Sequence, residues 1–257
     1  MADYNNPVLR GRTGAQAGVI DAGLRAYMLR VYNYMLVGLA LTGLTSYGFY
    51  AASVTTDPSQ MAATLHNGVM LTSFGVTLYT SPLQWLVMLA PLGMVMFLSF
   101  RIQHLSVAGA QAAFWVFAGL MGVSISTIFM VYASASIAQV FFITAAAFGG
   151  LSLWGYTTKS DLSGFGSFLI MGLWGLIIAS LVNLFLQSPM TMWVISIAGV
   201  GIFAGLTAYD TQKIKEMYYV GDDGTVAGKK SIMGALSLYL DFINMFLFML
   251  RLFGSRR

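Results

Sequence analysis

The chain predicts an all-α integral membrane protein, a bundle of seven transmembrane helices, and three observations carry that expectation. Of its 257 residues, 58% are hydrophobic and only 9% are charged, whereas a soluble domain carries about 25% charged residues. The apolar residues fall into runs near the ~20 residues that a helix needs to cross a hydrocarbon core. The Lys and Arg residues collect in alternate connections between those runs, as the positive-inside bias requires.

The elements follow in order. Residues 1–30 read as a polar cytoplasmic tail, 31–254 as a single transmembrane domain and 255–257 as a short basic carboxyl terminus. Spans are expected at 32–53, 82–100, 107–130, 137–157, 165–187, 191–211 and 232–253. No small-residue cleavage pattern bounds a short apolar core near Val31, so the first run reads as a span and not a signal peptide. Residues 54–81 form the longest outer connection. An eighth span at 61–80 is the alternative, opposed by Asn67, Ser73 and Thr77. Arg10, Arg12, Arg25 and Arg30 precede span one. Arg101, Lys159 and the group Lys213, Lys215, Lys229 and Lys230 lie in the later inner connections. These put the amino terminus in the cytoplasm. Trp85 and Trp193 at outer ends and Trp154 at an inner end fit interfacial belts. Arg251, Arg256 and Arg257 dissent, because an odd count places them outside. Either the last segment re-enters or the more numerous inner charges prevail; the ten inner charges against three favour seven full spans.

Two acids, Asp210 and Asp241, fall inside the hydrocarbon-length segments, and the other acids fall in tails or loops. A charged side chain at mid-membrane costs roughly 2.5–3.5 kcal/mol on insertion scales and marks a functional site by default. Asp241 is near the middle of span seven, where so short a side chain cannot reach either interface. Ser237, Asp241, Asn244 and Arg251 share one helix face, and that stripe is expected to face the bundle interior. The bland alternative is a structural hydrogen-bond node between helices. Asp210 closes span six, with Thr207 one turn before it and Lys213 three residues after it. Its bland alternative is an interfacial pair with Lys213. Together, two neighbouring carboxylates titrate as a coupled pair. They can share a proton or, ionised, hold a hard cation such as Ca²⁺ weakly through oxygen.

The segments AYDTQKIK at 208–215 and ALSLYLDFINMFLFMLRLFG at 235–254 resemble the transmembrane Bax inhibitor motif family, in particular its bacterial members. The resemblance covers most of residues 20–254 and is most specific at the carboxyl-terminal block. It implies a seven-helix bundle with the last helix central, in the bacterial inner membrane. It also implies a pH-sensitive Ca²⁺ leak across the membrane. The family's paired aspartates match Asp210 and Asp241. Its basic latch, which pairs with the helix-six aspartate, matches Arg101 in SFRIQH. Two departures stand out: no acid between Gln84 and Phe100, and a long loop, VGDDGTVAGKK, at 220–230.

Other functions weigh against this one. Some relatives are thought to bind and modulate a membrane-bound protease without transporting anything, and the tail or loops would serve for that. An intramembrane aspartyl protease also pairs aspartates, one in a Tyr-Asp like Tyr209–Asp210. Its second follows Gly-x-Gly, whereas Tyr239–Leu240 precede Asp241 here, and its Pro-Ala-Leu element is absent. A rhomboid protease needs a membrane His, but His66 and His104 lie in connections; a retinal protein needs a Lys in the last span, and 231–253 has none. No enzyme activity, resident cofactor or nucleic-acid partner is expected. The absence of Cys removes thiolate chemistry. The acids of GDDG at 221–224 read as a solvated turn, Gly201–Gly205 as bundle packing, and the 17 Met as gap-filling core.

Overall fold

A computed structural model describes residues 7–65 and 68–256, with side chains from residue 22 onward. Arg10, Arg12, His66, Asn67, Arg257 and most of the 1–30 tail fall outside the described side chains. The helices are α1 (Pro7–Ser53), α2 (Ser73–Thr80), α3 (Leu83–Arg101), α4 (Val107–Ile125), α5 (Ile128–Val131), α6 (Ser134–Thr157), α7 (Ser163–Leu186), α8 (Pro189–Glu216) and α9 (Gly224–Phe253). Seven segments are long and apolar enough to cross a membrane: Ala22–Ser53, Leu83–His104, Val107–Val131, Ser134–Thr157, Ser163–Leu186, Pro189–Glu216 and Gly224–Phe253. Helices dominate because a hydrocarbon solvent leaves no partner for free backbone N–H and C=O groups.

The ends are set by local chemistry. Ser106 and Ser188 accept the N–H of Gly109 and Thr191 and so start α4 and α8, with Pro189 in the first turn of α8. Asp223 does the same for α9 through the Val226 N–H at 2.7 Å. Between α7 and α8 the chain turns sharply. Gln187 takes a left-handed φ of 49°, its N–H donates to Asn183 O, and the Asn183 side chain accepts the Ser188 N–H.

The connection at 54–81 is a small cap and not an eighth span. Strands β1 (Val54–Thr55) and β2 (Ala63–Thr64) both pair antiparallel with β3 (Met70–Leu71), and the short α2 follows. Its polar residues cap and cross-link: Thr72 caps α2, and Tyr79 hydrogen-bonds Ser126 at 2.6 Å. Helix α9 runs unbroken to Phe253, so no re-entry occurs. Its carboxyl-terminal extension lies against the α5–α6 connection, with Tyr132 bridged to Arg256 and the Ser255 N–H donating to Ser136. The described ends of the chain are therefore on opposite faces, the odd-count arrangement.

The last helix is central. In its most apolar window 67% of residues are buried, against 11–33% for the other six spans. It packs on α8 above all, then on α1, α6 and α4. Tyr239, with no exposed surface, anchors it: its rings meet Phe114 and Phe117 edge-on, and its hydroxyl lies 2.6 Å from Thr42 on α1. Close approach elsewhere needs glycine. A Cβ on Gly155 would fall 2.2 Å from the Ala208 carbonyl, so α6 and α8 touch backbone to backbone two residues before Asp210. Of the two glycines spaced as GxxxG, only Gly205 meets a neighbour, Leu169 of α7; Gly201 faces open space.

Candidate functional site: the α8–α9 carboxylates

Asp241 is 4% exposed, the one buried acid among the described residues. Its position follows from the helix wheel of α9. Met233, Ser237, Leu240, Asn244, Leu247 and Arg251 form the partly open stripe, and Asp241 sits at its edge, turned toward buried neighbours. This corrects the expected inward stripe. Asp241 alone of the four polar residues is buried, Ser237 and Asn244 are half-buried, and Arg251 is exposed. The reason is that α9 is not wrapped equally: α7 does not close over this side, and a groove there is lined by Asn244, Phe248 and Arg251. The Asn244 amide donates to Leu240 O at 2.8 Å, and Arg251 reaches Met192 Sδ at 2.9 Å and lies over the Phe248 ring.

Asp210 is half-buried on α8 and interacts electrostatically with Asp241 across the α8–α9 contact. No hydrogen bond joins the two among the described residues, and Asp241 Oδ2 is buried there without a hydrogen-bond partner. Lys213 is the other charge that Asp210 feels, but its ammonium lies over the Tyr209 ring and makes no ion pair among the described residues. Thr207 is fully buried and donates to Phe203 O at 2.8 Å, so its hydroxyl serves the helix and not the carboxylate. Arg101 ends α3 exposed and has no ion pair with Asp210 among the described residues.

Three hydroxyls absent from the sequence reading frame the site. Thr211 donates to Thr207 O at 2.7 Å, so it accepts from Ser152 of α6 at 2.9 Å. Ser152 in turn meets Tyr32 of α1 at 2.6 Å. With its only proton already committed, Thr211 orients the chain: Tyr32 donates to Ser152 and Ser152 to Thr211. The turn that carries Asp210 is thereby tied to α1 and α6. Thr207 and Thr211, spaced i and i+4 in an apolar span, were the available signal. Below this turn, Gln212 bonds Ser160 O and the Leu162 N–H, and Lys215 donates to Tyr156 O, which fasten α8 to the α6–α7 connection.

The GDDG acids are structural and not simply solvated. Asp222 pairs with Lys230 at 2.6 Å, and Asp223 caps α9.

Known proteins place the chain. The sequence model of the family described as inhibitor of apoptosis-promoting Bax1 matches residues 24–257. The inner membrane protein YbhL of Escherichia coli K12 is 46% identical over 238 residues, 92% of this chain and 94% of that one. The protein RP147 of Rickettsia prowazekii is 42% identical over 257 residues, and one from Caulobacter vibrioides is 42% identical over 259, each match covering both chains completely. The chain is a multi-pass membrane protein that belongs to the Bax inhibitor family.

Proposed function

We propose that the protein is a pH-sensitive cation leak channel, with Ca²⁺ as the cation, gated by Asp210 and Asp241. One observation carries this reading: a carboxylate is buried in the central helix, with one oxygen lacking a hydrogen-bond partner among the described residues, and a second carboxylate on the adjoining helix lies within its electrostatic reach. A buried, unpaired charge is costly, so the pair is held by protons or by a cation. Two carboxylates supply only part of the 6–8 oxygens that Ca²⁺ takes, which suits weak binding in transit. The protein would act in the bacterial inner membrane with its amino terminus in the cytoplasm, where Arg25, Arg30 and the α8–α9 lysines belong by charge. No catalytic role or resident cofactor is assigned.

The test is Ca²⁺ flux into proteoliposomes across pH. Asp210→Asn and Asp241→Asn should each change the pH profile, and the double variant should add little to either, as for coupled sites. If both single variants keep the parental profile, the pair does not gate. The protein then reads as a non-transporting regulator that binds a membrane-bound protease or another membrane protein.

A further inference from the structure

A groove of about 620 Å³ runs between α1 and α6. Arg25 and Tyr156 stand at its mouth on the amino-terminal face, Leu39 lies at its far end, and Phe242 of the central helix forms part of its floor. At ~1.5 Å per residue, the stretch Arg25–Leu39 spans roughly 21 Å, somewhat more than half of a hydrocarbon core of about 30 Å. The groove therefore has the reach of one leaflet. Below the mouth, its walls ask for hydrocarbon. Tyr32 and Ser152 are the polar side chains there, and they are bonded to each other at 2.6 Å. Arg25 is exposed and has no ion pair among the described residues.

Two other grooves lack this combination. The one between α1 and α4, about 570 Å³, exposes the amides of Asn33 and Gln111 beside Arg30. The one beside α7, about 460 Å³, has Arg251 at its edge, engaged by Met192 and Phe248.

We propose that the α1–α6 groove binds an anionic phospholipid of the leaflet on the amino-terminal face, its phosphate on Arg25 and an acyl chain laid along α1 and α6 toward Phe242. A basic residue at the mouth of an apolar interhelical cleft supplies this recognition. The site is independent of the channel reading and is read out without flux.

The experiment is native mass spectrometry of the purified full chain titrated with palmitoyl-oleoyl-phosphatidylglycerol or palmitoyl-oleoyl-phosphatidylcholine. One interfacial cation should favour the first bound phosphatidylglycerol by about fivefold, and added salt should shrink the preference. Arg25→Gln, at an exposed position, should bring the preference to about one. Gly149 lines the groove, and a Cβ there meets nothing within 4 Å, so Gly149→Phe should fill it and weaken both lipids. Equal binding of the two lipids by the parent overturns the site. So does a preference that survives Arg25→Gln, or binding of both lipids unaltered by Gly149→Phe.

Discussion

Helices α7 and α9 invert the rule of soluble proteins. The α7 segment has a mean hydropathy of 2.3 in its most apolar window, the highest of the seven spans, yet only 17% of that window is buried. For α9 the values are 1.7 and 67%. In lipid, apolarity gives no reason to turn inward, because the acyl chains are as apolar as leucine. Polar groups do, since they find partners only inside the bundle. Thus α9, which carries the buried Asp241 and the Tyr239 hydroxyl bonded to Thr42 of α1, sits at the centre, while α7 turns Phe168, Met171, Trp174 and Phe185 outward.

The largest break of this contrast is steric. Gly155→Leu drives a side chain into the Ala208 backbone at the α6–α8 contact and should cost about 3 kcal/mol or more. The same change at Gly175 of α7, where a Cβ meets nothing within 4 Å, should be neutral or stabilise by ~0.5 kcal/mol through helix propensity. Reversible unfolding in mixed micelles measures both. Equal losses would show that the periphery is as tightly packed as the centre.

A smaller effect belongs to one hydroxyl. Tyr239→Phe removes the 2.6 Å bond to Thr42 and should cost about 1 kcal/mol in the same assay. Trp174→Phe, at a position 62% exposed, should lie within about 0.5 kcal/mol of the parent.

Arg101→Ala separates stability from gating. Arg101 is exposed and holds no ion pair among the described residues, so its loss should leave stability within about 0.5 kcal/mol. If it latches a closed state, the variant should leak Ca²⁺ at a pH where the parent is closed, and Arg101→Lys should be only partly defective. Unchanged flux would remove Arg101 from the gate.

The smallest effect lies outside the membrane. Asp57 is held below the usual carboxylate value of 3.8, first by the Ser59 backbone N–H and then by the Ser59 side chain. Its turn is therefore supported above that value and loses support as pH falls through the lowered one. The protection of the Ser59 amide, its exchange relative to the intrinsic rate at the same pH, should fall there before the helices respond, and Asp57→Asn should flatten that pH dependence.

Composition and run length were enough to give the class, the seven spans and the two carboxylates in them, because insertion into hydrocarbon is a local property of each segment. The sequence also pointed to the family through residues 208–215 and 235–254. It could not decide which α9 residue is buried. Ser237, Asp241, Asn244 and Arg251 share a face by periodicity, and only the uneven packing of α7 and α8 around that face separates them. Of the hydroxyl chain Tyr32–Ser152–Thr211, only Thr211 left a trace, through its spacing from Thr207; its bonds to α6 and α1 join distant parts of the chain and were out of reach. Nor could a linear pattern show the cleft beside Arg25. Clefts and long-range hydrogen bonds arise from how helices cross, and helices of near-equal apolarity in lipid are sorted by shape and by a few polar contacts, which exist only in the assembled bundle.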